Sequence, residues 1–127
     1  MAKRAMKSHH GAGITPVEFH ILLALVGADR HGYAIMQQVA VDSGDAIQLG
    51  PGTLYGALAR LLEYGFIREV ESGVDPALDD SRRRYYRLTA AGRTAAATEA
   101  GRLAGVLKVA RGRQLAVVAQ RTMAHEL

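Results

Sequence analysis

A mainly α-helical fold with a small β wing, extended by a long C-terminal helix, is what this sequence predicts, and three stretches predict it. Gly50-Pro51-Gly52 opens a short helix that Gly65 closes. Two β-patterned runs, Phe66 to Glu71 and Arg83 to Leu88, flank a polar loop. Thr89 then precedes an alanine-dense run toward the end of the chain. Helices, a two-stranded wing and a further helix, in that order, make a winged helix-turn-helix. The expected organisation is a flexible basic arm over 1–13, the winged helix-turn-helix over 14–89 and the C-terminal helix over 90–127.

The elements can be justified in order. Met1 to Gly13 carries Lys3, Arg4, Lys7, His9 and His10 with no apolar run behind them, so it reads as neither a signal peptide nor a membrane anchor. Two readings of the arm stay open: a minor-groove contact, as basic arms make elsewhere, or a terminus without specific contacts. Thr15 can cap the first helix while Glu18 reaches back three residues later, with Pro16 at the first helical position. Phe19, Ile21, Leu22, Leu23, Leu25 and Val26 make this helix apolar on more than one side. That width predicts cover from beyond its own domain, which makes Phe19, Leu22 and Leu23 candidate dimer contacts.

Asp29-Arg30-His31-Gly32 reads as a turn, followed by a helix from Tyr33 to about Val41 with Ala34, Ile35 and Val39 inward. Asp42-Ser43-Gly44-Asp45 breaks it, and Ile47 and Leu49 lead to the third helix. Pro51 loses no hydrogen bond in a first turn. Leu54, Ala57, Leu58, Leu61 and Leu62 recur at spacings of three and four, a stripe for the core, while Thr53, Tyr55, Gly56 and Arg60 point elsewhere. In the return strand Tyr86 and Leu88 share the core face, and Tyr85 and Arg87 the other. The loop Ser72 to Arg82, with Gly73, Asp75, Pro76, Asp79 and Asp80, is longer than ordinary hairpin connections. In the last helix the apolar stripe is Leu103, Val106, Leu107 and Ala110, less regular through Val117 and Val118. Gly101, Gly105 and Gly112 each cost about 1 kcal/mol there relative to alanine, and either permit close helix approach or mark a bend.

The charge pattern points to nucleic acid. A formal net charge of +4 is modest, but Arg82, Arg83, Arg84 and Arg87 cluster on the wing and Arg60 lies on the third helix. Clustered cations release condensed counterions where they meet phosphates. Tyr33, Thr53 and Tyr55 offer hydroxyls to phosphates, and Gly52 allows close backbone approach at a helix start. Direct base reading would fall to Gly52, Thr53, Gly56 and Arg60, few of which carry informative edges, so DNA shape is expected to contribute. The absence of cysteine excludes disulfides and thiolate zinc sites and is compatible with a cytoplasmic location. No cysteine nucleophile, paired-carboxylate pocket arguable from spacing, glycine-rich phosphate loop after a strand or metal-ligand constellation argues for an enzyme, a metal site or a cofactor. His20 and His31 read as a helix-surface and a turn residue.

These residues resemble the PadR-like family of bacterial transcriptional regulators. The resemblance rests on Thr15-Pro16-Val17-Glu18, His31-Gly32-Tyr33-Ala34-Ile35, Gly52-Thr53-Leu54-Tyr55 and Tyr86-Arg87-Leu88-Thr89, in the family's order over roughly residues 14 to 110. Many relatives carry proline where this chain has Gly56. The resemblance implies a small homodimer that binds double-stranded operator DNA through the winged helix, with the C-terminal dimerisation helix joining the subunits. It also implies that a small-molecule effector can act near the dimer interface. A pocket walled by aromatic residues between the C-terminal helices is not expected, since no aromatic residue follows Tyr86, whereas one against Phe19 or Tyr64 stays open. The leading expectation is a sequence-specific repressor on a pseudo-palindromic operator. A non-specific architectural DNA-binding protein and a winged helix used only for protein contacts stay open beside it.

Overall fold

The computed structural model describes residues 13–71 and 84–119. Residues 1–12 of the expected basic arm, the whole of the wing loop 72–82 together with Arg83, and residues 120–127 lie outside them. Helix α1 (Pro16–Ala24) starts as its sequence requires: the Glu18 amide donates to Thr15 Oγ1 at 3.1 Å, and the Thr15 amide donates to Glu18 Oε1 at 3.0 Å. It is two residues shorter than its apolar run, because Leu25 caps it and donates its amide to the Leu22 carbonyl. Helix α2 (Gly32–Asp42) buries Gly32, Ile35 and Val39. Gly44 and Asp45 then turn through positive φ, while Ser43 Oγ accepts from the Ile47 amide at 2.9 Å.

Helix α3 (Pro51–Tyr64) has Pro51 at its first position and ends at Gly65, whose φ of 80° is the left-handed cap. Its buried residues are Leu54, Ala57, Leu58 and Leu61, while Leu62 is only half-buried. Packing of α1, α2 and α3 on one another makes the core, in which Ile21, Leu22, Ile35, Val39, Leu54 and Leu61 have no exposed surface.

The sheet has three strands where the sequence predicts two. Strands β2 (Ile67–Val70) and β3 (Tyr85–Leu88) form the antiparallel wing, and β1 (Arg30–His31) adds to the other edge of β3. The expected turn at Asp29 to Gly32 therefore includes a two-residue strand, pairing Arg30 with Tyr86 and His31 with Tyr85. Tyr86 is buried and Leu88 half-buried, as the alternation predicts. On the outer face Arg87 lies opposite Arg68. Asp29 offsets that juxtaposition, accepting from Arg87 Nε at 3.0 Å and Nη2 at 2.8 Å.

Helix α4 (Ala90–Gly112) is capped by Thr89, whose hydroxyl accepts from the Gly92 amide and donates to the Gly65 carbonyl. Its first turns pack on α1 and β3. It ends at Gly112, with Gln114 at φ 64° and residues 115–119 outside any helix, so of the expected helix over 90–127 the described residues are helical over 90–112 and not over 113–119. Val117 and Val118 thus do not continue its stripe.

Two outcomes are expected. A Cβ on Gly92 would stand 2.0 Å from the Phe66 carbonyl oxygen and 2.9 Å from Leu88 Cδ1. Gly92→Ala should therefore lower the thermal midpoint by on the order of 5–15 °C although alanine is the better helix former, and an unchanged or raised midpoint would refute the close crossing. The hydrogen bond from Arg87, aided by the charges of Arg87 and Arg68, holds the Asp29 carboxyl below its ordinary value. A depressed carboxyl stabilises the fold above its unfolded-state value and loses that contribution as pH falls through the folded one. The midpoint difference between wild type and Asp29→Asn should accordingly be full near neutral pH and shrink below about pH 4.

Candidate nucleic-acid interface

With Leu54, Ala57, Leu58 and Leu61 inward, the opposite face of α3 is centred on Gly52, Gly56 and Ala59, all exposed. No side chain larger than a methyl stands along that line until Glu63. The functional groups lie on its two flanks, Tyr55 on one and Thr53 and Arg60 on the other. The flanks are therefore chemically rich and the centre bare, a division that follows from the spacing of glycines four apart.

Tyr55 is 51% exposed, and its hydroxyl lies where a Cβ on Gly32 would stand, 2.4 Å away. Gly32 thus lets the tyrosine of α3 lean over the start of α2. Tyr33, the next residue, is 62% exposed, so two phenols flank the N-terminus of α2. That terminus is capped by His31, whose Nδ1 accepts from the Ala34 amide at 3.3 Å. Sequence reasoning found both tyrosines but not the role of Gly32, which depends on how α2 and α3 cross.

Arg60, expected among the base-reading candidates, is also tied to its own fold. Its Nε donates to Glu18 Oε2 at 2.8 Å, and the pair is unequally placed, with the Glu18 side chain 3% exposed and Arg60 47%. Hydrogen bonding to Glu18 raises the Arg60 guanidinium still further above neutrality. Burial pushes the neighbouring Tyr64 phenol up, aided by the Glu18 charge. A guanidinium tied in this way has fewer free donors and a partly cancelled field.

On the wing, Arg84 is largely exposed and meets Glu69 at 3.3 Å, a surface pair of little energetic weight. Arg87 is engaged by Asp29, and Arg68, which sequence reasoning did not single out, faces solvent beside it. Strand alternation alone would have placed Arg68 outward; its position against Arg87 needed the register. Arg82 and Arg83 fall outside the described residues.

The expected dimer contacts divide. Leu103, Val106 and Leu107 are exposed, as is Val109, while Ala110 is half-buried. Leu23 is 38% exposed. Phe19 is half-buried and packs on its own core. Leu22 is corrected: it is fully buried within its own chain by the neighbouring helices and offers no surface to a partner. A hollow of about 220 Å³ between the starts of α1 and α4 is lined by Ile14, Phe66, Ala95, Thr98 and Glu99 among others, rather than by Phe19 or Tyr64. Among the described residues no group of three or more His, Cys, Asp or Glu side chains is placed to hold a metal. No helix among them is long and apolar enough to cross a membrane.

Residues 21–98 match the model of the transcriptional regulator PadR-like family. A transcriptional regulator from Clostridium thermocellum superposes with a TM-score of 0.63 at 27% identity, covering 76% of this chain and 87% of that one. A PadR family transcription regulator from Clostridium difficile superposes with a TM-score of 0.64 at 24% identity over 79% of this chain and 99% of that one, a likeness of fold. An uncharacterized 37.1 kDa protein in a Streptomyces fradiae transposon is 40% identical over 84 residues, 66% of this chain but 22% of that protein, so the chain matches about a fifth of its relative's length. With the family match covering most of the winged helix and the first turns of α4, this chain belongs to the PadR-like family of transcriptional regulators.

Proposed function

We propose that the protein is a homodimeric repressor that occupies a pseudo-palindromic operator, with α3 of each subunit in a major groove and the wing beside the backbone. The observation that carries this reading is the outward face of α3, an exposed helix surface bordered by Tyr55, Thr53 and Arg60 and flanked by Tyr33 and the wing arginines. A bare helix centre can approach base edges closely, and hydroxyls with guanidinium groups on its margins suit the phosphates on either side of a groove. Gly52, Thr53 and Gly56 supply few donors or acceptors for base edges, so much of the sequence preference is assigned to DNA shape.

The dimer is supported by the distal part of α4. From Ala100 to Val109 every residue is exposed, including Leu103, Val106, Leu107 and Val109. A helix of these residues with no cover loses the burial that ordinarily stabilises it. A second copy of the same helix would restore that burial and set two recognition helices on one duplex. Leu23 and Val26, also exposed on and just beyond α1, extend the apolar surface available.

A mobility-shift titration of the full chain with the DNA upstream of its own gene, against random competitor and at several salt concentrations, tests the reading. Saturable retention that survives competitor is expected, and equal loss to competitor and salt would instead favour the non-specific class. Arg84→Ala should weaken binding to all sequences and reduce the salt slope by about 0.9, the value of one phosphate contact. Leu103→Asp with Leu107→Asp should give a monomer in sedimentation and weaken operator binding by roughly 10²- to 10⁴-fold through lost bivalency; a variant that remains dimeric would overturn the assignment of α4.

A further inference from the structure

Glu18 is held by more than its cap. Its Oε1 accepts from the Thr15 amide at 3.0 Å, which completes the capping box, and glutamine would serve that purpose equally. Its Oε2 meets Arg60 Nε at 2.8 Å, a bond between residues 42 positions apart. A carboxylate only 3% exposed is out of water, and the guanidinium is the partner that makes its charge tolerable there. The charge of Glu18, as distinct from its shape, is therefore directed at Arg60.

The other end of that guanidinium faces outward. Arg60 Nη1 lies 3.8 Å from the point a Cβ on Gly56 would occupy, so the group extends along the exposed surface of α3 toward its bare centre. Its Nε is engaged and its side chain is still 47% exposed, which leaves the terminal nitrogens with hydrogens for another acceptor. Tyr64, one turn further along α3, interacts with the same guanidinium. Arg60 sits on the flank of the helix and about two and a half turns from its start at Pro51, whereas base contacts come from the leading residues of a recognition helix. Its position suits a phosphate.

We propose that Glu18 is a positioning residue for DNA binding: without touching the duplex, it holds the Arg60 guanidinium on the flank of α3 as a preoriented phosphate contact. The inference rests on the reading of α3 as the helix that enters the groove. It makes an acidic residue necessary for binding a polyanion, so the sign of its effect separates it from simple electrostatics. Removing a negative charge near DNA should strengthen binding if only the field mattered. It should weaken binding if the fixed geometry of Arg60 matters more.

The test uses the full chain and the upstream duplex retained by wild type, with thermal midpoints recorded for every variant. Glu18→Gln is expected to bind about tenfold more weakly, with a salt slope close to that of wild type because the cation remains. Arg60→Gln should lose similar affinity together with about 0.9 of the slope, and the double variant should be no weaker than Arg60→Gln alone. Should Glu18→Gln not fold, Arg60→Lys carries the test from the half-exposed side: it keeps the charge but not the fork, so weaker binding at an unchanged slope is expected. Glu18→Gln or Arg60→Lys binding as tightly as wild type or tighter, or an unchanged slope in Arg60→Gln, overturns the proposal while wild-type retention leaves the groove reading intact. Failure of wild type and Arg84→Ala alike to bind any duplex overturns both.

Discussion

Helix α1 has apolar side chains around most of its circumference, and the arrangement of the other elements follows from the need to cover it. A helix with a single apolar stripe can lie on a surface; one without a polar face has to be enclosed. Here α2, α3 and α4 each pack against α1. Ile21 and Leu22 lose all exposure, and Leu25, just beyond the helix, is 2% exposed. The backbone at its far end is closed by Arg30, whose Nε donates to the Ala24 carbonyl at 2.7 Å and so joins the end of α1 to strand β1. Enclosure of α1 thus fixes α2, α3 and the start of α4 relative to one another.

The two buried carboxylates among the described residues, Glu18 and Glu99, stand where this enclosed post meets the elements that face outward. Glu18 meets Arg60 of α3. Glu99 accepts two hydrogen bonds from Arg102, at 2.9 and 2.7 Å, and this pairing holds its carboxyl below the ordinary range. From Ala100 to Val109 the helix has no cover from the described residues. Each carboxylate therefore marks a boundary at which the core ends, and each is paired there with an arginine that remains partly in water. Leaving such a carboxylate without its cation costs about 3–5 kcal/mol where the site is well buried, a figure that applies more fully to Glu18 than to Glu99.

The surface charge available to a polyanion is smaller than a count of arginines suggests. Arg87 is neutralised by Asp29, Arg60 is partly neutralised by Glu18, and Arg84 has Glu69 nearby. The glycine-lined centre of α3 adds shape rather than charge. Affinity for a polyanion on such a surface depends on where the cations are held more than on net charge.

Element boundaries were legible in the sequence because they depend on bonds between residues three or four apart: the Thr15–Glu18 capping box, Pro51 at the start of α3, Gly65 after it and Thr89 before α4. The core stripe of α3 and the outward placement of Tyr33, Thr53 and Tyr55 followed from the same local periodicity. The two-residue strand β1 was not legible, since Arg30 and His31 are strand only because β3 offers them an edge. Tertiary structure alone decided the partners of the charges, across 42 positions for Arg60 and 58 for Arg87, and the enclosure of Leu22 by its own chain. The end of α4 at Gly112 is local by contrast, marked by Gln114 at φ 64° and the Leu115 amide donating to the Ala110 carbonyl. Capping and periodicity are properties of neighbouring residues, whereas burial and ion pairing depend on where the helices lie once α1 has been covered.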